Sequence, residues 1–173
     1  MIRYTAQPAP HVLLVCATGR PRRLRDGAPN PRRMPACEMW LGCAFPQRAS
    51  WARAEAAETG CAWGILSPVR GVLRPLDVIA PHGVDDPPPE YGAPGWARWC
   101  DAVQGGLSAI VELDHRLCNL RRLSIDVHGP TGWSESVARA LGGHRVRWPA
   151  AGLASLDVSR WYAGAASNHH SLL

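Results

Sequence analysis

Lysine is absent from this chain: all 19 of its Lys/Arg residues are arginine. That excludes Schiff-base chemistry on a lysine and the lysine of a Walker phosphate loop. What remains is the guanidinium, a planar fork suited to bidentate grip on phosphate, sulfate or carboxylate. No Cys-x-x-Cys pair occurs among the six cysteines, at 16, 37, 43, 61, 100 and 118, so a structural zinc site is not expected. Apolar runs fall well short of the roughly 20 residues that span a bilayer. The N-terminus lacks the charged-then-apolar pattern of a leader. Together these absences predict a cytoplasmic chain that uses no membrane, metal or cofactor, with reduced thiols packing mostly as small apolar groups.

What is present suits one domain with an ordinary core: 173 residues, 46% apolar, with a net charge of +5. The richness in Ala, Arg, Gly and Pro is that of a GC-rich bacterial coding sequence. Residues 1–10 read as a loose tail, 11–164 as the domain, and 165–173 as a polar tail. His11–Cys16 is a continuous apolar run with β-branched members, the pattern of a strand buried on both faces. A basic, Pro-broken loop follows at 19–35, and a Pro-rich loop occupies 80–95. Between them, 37–58 has helical spacing with Pro46 as a break or kink, Gly60 is a stop, Cys61–Ser67 is a second strand and Val72–Ile79 is extended. Further on come a helix from Trp96 to about Leu120, weakened by Gly105 and Gly106, and a strand over Leu123–His128. A short helix over Thr131–Leu141, a strand over Val146–Trp148 and a helix over Leu153–Ala163 complete the pattern. Strands alternating with helices define an α/β fold: a single domain with a mainly parallel sheet of about four strands, flanked by helices. In such sheets ligands sit beyond the carboxyl ends of the strands.

Leu66-Ser67-Pro68-Val69-Arg70-Gly71-Val72-Leu73-Arg74-Pro75-Leu76-Asp77 resembles the Leu-Ser-x-x-Tyr-Gly-Val/Leu-Leu-Arg-Pro-Leu-Asp signature of the YaaA family. Trp63-Gly64-Ile65-Leu66-Ser67 is similar to the Trp-x-Ile-Leu-Ser of related short domains. The likeness extends unevenly over roughly 11–164. Ala36-Cys37-Glu38-Met39-Trp40 and the following Phe45 match an Ala-Arg-Glu/Asp-Leu-Tyr element, with Cys37 in place of the arginine. The Ser-Ala-Lys-x-Gly motif of the short domains stands here as Ser67-Pro68-Val69-Arg70-Gly71, without its lysine. Gly129 to Trp133 match a Gly-x-x-x-Tyr element. The resemblance implies a shared fold with an altered polar site. It also implies the DNA binding and glycosylase-like folding associated with that family.

The strand ends bring Cys16, Thr18, Ser67, Arg70, His128 and Gly129 to one edge. Glu38 and Trp40 join them if the family match holds. Glu38 and His128 are the candidate general bases, and Thr18, Trp40, Ser67, Arg70, Gly129 and Trp133 the candidate ligand-binding residues. The bland alternatives stand beside these roles. Glu38 at a helix start is stabilised by the helix dipole, His128 can cap backbone groups, and Ser67 and Asp77 can serve turns. Cys37 is the thiol to watch, since a helix N-terminus lowers a thiol pKa. Arg20, Arg22, Arg23, Arg25, Arg32 and Arg33 could contact nucleic-acid phosphates, an acidic partner or only water. Eight tryptophans exceed what a small core needs; Trp51, Trp63 and Trp133 are assigned to it. The others, with arginine, are the types enriched at binding hot spots.

Three functions follow as expectations. The first is a subunit, hetero- or homo-oligomeric, supporting a partner enzyme in bacterial specialised biosynthesis. The second is a glycosidase-like enzyme acting on a nucleobase- or nucleoside-like, or anionic, small molecule. The third is a DNA-binding stress protein.

Overall fold

A computed structural model describes residues 11–21, 32–41, 44–82, 87–113, 123–151, 157 and 160–162. Its centre is the first apolar run, β1 (His11–Cys16), flanked on one side by β3 (Ala62–Ser67) and on the other by β6 (Ser124–His128), both parallel to it. Val12 to Ala17 are all but fully buried, as the unbroken apolar pattern requires of a strand covered on both faces. Each such Val or Leu contributes about 1.5–3 kcal/mol of burial. Beyond β6 lies β7 (Arg145–Arg147), also parallel, and beyond β3 lies β4 (Gly71–Leu73), antiparallel. The order is β4-β3-β1-β6-β7.

The mainly parallel α/β sheet agrees with the sequence, but it has five strands rather than about four. The additional strand comes from the stretch 72–79, expected as one extended piece. Ser67 closes a turn, its Oγ accepting from the Val69 and Arg70 amides at 3.3 and 3.2 Å. The chain then folds back as β4. A second turn at Arg74–Asp77 follows, in which the Asp77 carboxylate accepts from the Arg74 amide at 2.8 Å and the Arg74 Nε at 2.7 Å. This turn sends β5 (Val78–Ile79) into a separate two-stranded sheet with β2 (Met34–Pro35).

Helices cover both faces. Residues 37–58 form two helices, α1 (Ala36–Met39) and α2 (Phe45–Thr59). Pro46 is no kink: it sits in the first turn of α2, where its missing N–H has no intrahelical partner to lose. Gly60 ends α2 in the left-handed conformation, its amide donating to Ala56 O. α1, α2 and helical residues 161–162 pack on the face that carries Leu13, Val15 and Ala17. α3 (Trp96–Leu113) and α4 (Ser134–Ala140), preceded by a 3-10 turn at Thr131–Trp133, cover Val12, Leu14 and Cys16 on the other. The expected end of α3 near 120, most of the helix over 153–163, both chain tails and most of the basic loop lie outside the described residues.

The tryptophans enter the core further than expected. Trp40 and Trp99 are buried along with Trp51 and Trp133, whereas Trp63 is only partly buried. Trp99 is held by donating its Nε1–H to Ser67 O at 2.9 Å. Among the described residues no helix is long and apolar enough to cross a membrane.

Candidate functional site

The chain leaves β1 for α2 on one face and leaves β6 for α4 on the other. The carboxyl ends of these adjacent parallel strands therefore flank a topological switch point, the crevice in which open α/β sheets bind ligands. Cys16 ends β1 and His128 ends β6. Gly129 follows His128 so closely against Cys16 that a Cβ there would overlap the Cys16 side chain. Glycine is thus required for the two strand ends to approach.

His128 is 1% exposed. Its ring lies 4.4 Å from that of Trp51 and 5.9 Å from that of Trp161, nearly parallel to the latter at 27°. Its Nδ1 is 2.8 Å from the Tyr162 hydroxyl, so it partners a side chain and does not cap backbone groups. Burial, opposed by Asp126 and aided by Arg48 and His11, pushes its pKa down to about 4. It is a neutral imidazole at physiological pH. The Tyr162 phenol is pushed up to about 12 by burial, although the facing Arg48 guanidinium works against the shift. Cys16, fully buried, is likewise pushed to about 12 against the pull of Arg48, so it is a thiol and not a nucleophile.

Arg48 reaches this group from the first turn of α2, and Trp51 follows one turn later on the same helix face. Arg48 Nε and Nη1, Trp51 Nε1 and His128 Nε2 are all buried without a hydrogen-bond partner. Buried polar groups in native proteins are overwhelmingly satisfied, and each exception asks for an explanation. Among the described residues, four of the six such atoms gather at this switch point; the other two are on His11 and His82. The carboxylate two residues before His128 is already engaged. Asp126 receives Arg147 Nε and Nη2 at 2.6 and 2.8 Å, and its Oδ2 lies 3.0 Å from His11 Nε2. Burial alone would raise its pKa, but these partners outweigh burial and hold the carboxyl below its usual range.

The other sequence-predicted residues divide. Trp40, buried, meets His82 edge-on at 5.3 Å and donates its Nε1–H to His82 O at 3.1 Å. Arg70 is exposed, yet its charge adds to burial in lowering the His82 pKa, so Trp40 and Arg70 share that neighbour. Ser67 is buried and occupied by its turn, and Thr18 lies half-buried just beyond β1. Glu38 is exposed on α1. Trp133 packs with α3 and α4 on the face opposite to His128. Arg20 accepts the Leu41 amide through its carbonyl at 3.1 Å, Arg32 and Arg33 are exposed, and Arg33 donates to Val78 O at 3.2 Å. Arg22, Arg23 and Arg25 lie outside the described residues.

The expectation of an acidified Cys37 fails. The α1 amides that would polarise it are consumed: Ala36 N–H donates to Asp77 O and Cys37 N–H to Pro75 O. Burial first, then the neighbouring Glu38, raise its pKa. The sequence reading missed Arg48, Trp51 as a site residue, Trp161 and Tyr162. The available signal was Arg48 and Trp51 spaced one turn apart, directly after Phe45-Pro46 opens a helix.

Among known proteins, no family model matches this chain, and neither a curated protein nor a solved structure matches it.

Proposed function

We propose that this protein binds a small, flat, nucleobase- or nucleoside-like molecule at the crevice between the ends of β1 and β6. One observation carries the reading. A fully buried, neutral histidine with an unpartnered Nε2 stands among Trp51, Trp161 and Tyr162 at the switch point of a parallel sheet. Aromatic walls supply area for a planar ligand, and a few fixed polar groups supply its orientation. His128, held through Nδ1, is the orienting residue. With a pKa near 4 it is no proton donor in its neutral state, but it can donate a hydrogen bond or accept a proton from a bound substrate. Glu38, exposed on α1, belongs to no part of this arrangement. The turns built by Ser67 and by Arg74–Asp77 are consistent with a divergent YaaA-like chain that keeps the family's shape with a different polar site.

The test is equilibrium binding of purine and pyrimidine bases, nucleosides and their carboxylate and phosphate derivatives, followed by tryptophan fluorescence. At least one should bind, and His128→Gln should weaken it about tenfold, the loss of one buried hydrogen bond, with an unchanged circular dichroism spectrum. No binding, or equal binding by the variant, overturns the reading.

A second reading, a subunit of a biosynthetic complex, has its own support. Val69, Leu76 and Val78 are exposed at 64%, 76% and 55% within the short stretch 69–78, and large exposed apolar side chains are what an interaction surface needs. Native mass spectrometry of the protein from its own cell extract tests it: a stoichiometric second chain supports it, and a lone chain sinks it.

A further inference from the structure

We infer that the molecule held at this crevice carries a compact oxyanion, a carboxylate or a phosphate, seated against Arg48, Trp51 and His128. The inference rests on the ligand reading above and narrows it. Every unpartnered buried atom in this cluster is a nitrogen: Arg48 Nε and Nη1, Trp51 Nε1 and His128 Nε2. Guanidinium and indole nitrogens can only donate. For His128 the direction follows from its neighbours. Arg48 faces the Tyr162 hydroxyl and cannot accept, so the phenolic oxygen is the acceptor towards Arg48. The phenolic proton is then free to point at His128 Nδ1, 2.8 Å away. An imidazole that accepts at Nδ1 carries its proton at Nε2, and His128 also becomes a donor.

The result is a set of donors with one fixed positive charge and no acceptor. A neutral heterocyclic edge presents donors and acceptors together and would pair poorly with it. A carboxylate or phosphate offers only acceptors and a negative charge, and pairs with arginine through short charge-assisted bonds. Among the described residues Asp126 is the carboxylate nearest in sequence to His128, and it is already bound to Arg147 and His11. The start of α2 adds to the argument. It has no side-chain cap, and the positive end of a helix favours an anion. The near-parallel rings of His128 and Trp161 suit the flat body to which the anionic group is attached.

Isothermal calorimetry of the full chain with benzoate, phenyl phosphate and neutral benzamide tests the inference, with adenosine as the neutral nucleoside. Benzoate or phenyl phosphate should bind at least about tenfold more tightly than benzamide, the margin of a charge-assisted pair. Whichever of the two anions binds better distinguishes a carboxylate from a phosphate site. Arg48→Gln should erase the advantage, and Trp51→Phe, which keeps a ring but removes the N–H, should reduce it severalfold. The second variant guards against misfolding of the first. Equal affinity for benzoate and benzamide, or an advantage that survives Arg48→Gln, overturns the inference. Adenosine that binds through His128 but ignores Arg48→Gln overturns the oxyanion and leaves the ligand reading standing. Failure of every probe at millimolar concentration overturns both.

Discussion

At the scale of single residues, His128 shows how burial sets both chemistry and stability. Its folded pKa of about 4 lies below the ordinary 6.5, so between those values the unfolded chain binds a proton that the folded chain refuses. Stability is fully present above pH 6.5 and falls as pH drops through the folded pKa, by up to about 3 kcal/mol. The groups acting on the ring are Asp126, which favours the charged form, and Arg48 and His11, which oppose it. His82 and His144, both lowered first by burial, add slopes of the same sign. Urea midpoints measured across this range should therefore decline towards acid in the native chain. In His128→Gln, which cannot charge there, the decline should be distinctly shallower. An equal decline in both would show that His128 is not held neutral by its surroundings. The thiols follow the same physics. Cys16, Cys37 and Cys100 are all raised, chiefly by burial, so none is primed as a nucleophile.

At the scale of elements, the two adjacent glycines of α3 separate packing from propensity. Gly106 lies against the backbone of Val72 in β4, where an added Cβ would overlap the Val72 carbonyl; Gly105 is exposed with nothing near it. Gly106→Ala should destabilise by about 1–3 kcal/mol through overpacking. Gly105→Ala should stabilise by up to about 1 kcal/mol through helix propensity alone. Chemical denaturation of the two variants checks both signs, and a destabilised Gly105→Ala would contradict the packing described. In sequence both residues read as weaknesses of one helix, because propensity is local and the close approach of β4 is not. The same limit explains the rest of what was legible. β1 and β3 were plain from their largely apolar runs, as a strand buried on both faces requires, while β6 alternates Ile125 and Val127 with the polar Ser124, Asp126 and His128. β4 was hidden, because three residues after a serine turn have no periodicity to show. The site was half legible. His128 and Gly129 could be placed at a strand end by counting. Arg48, Trp51 and Tyr162 belong to helices whose rotation about the sheet only the packing decides. The Leu-Ser and Arg-Pro-Leu-Asp stretches, the basis of the family resemblance, prove to build turns: Ser67 and Asp77 accept backbone amides.

At the scale of the whole molecule, one strand joins two cores. β1 gives Val12, Leu14 and Cys16 to the α3 and α4 face, and Leu13 and Val15, joined by Ala17 just beyond the strand, to the face of α1, α2 and Tyr162. Neither face can lose its packing without exposing the back of the strand that supports the other. The candidate site depends on both, since His128 is on the face of α2 while Gly129 packs against Cys16. Leu13→Ala and Leu14→Ala, buried on opposite faces, should each cost about 2–5 kcal/mol. Each should lower the unfolding midpoint as a whole. The observables are far-UV circular dichroism for the helices of both faces and tryptophan fluorescence. Trp99 and Trp133 report the α3 and α4 face, and Trp51 the other. If the strand couples the faces, the two signals shift together in each variant and the transition stays all-or-none. If Leu13→Ala melts the α2 face first and leaves the dichroism of α3 intact, the faces are separate cooperative units. The crevice at their junction would then be formed only when both are folded.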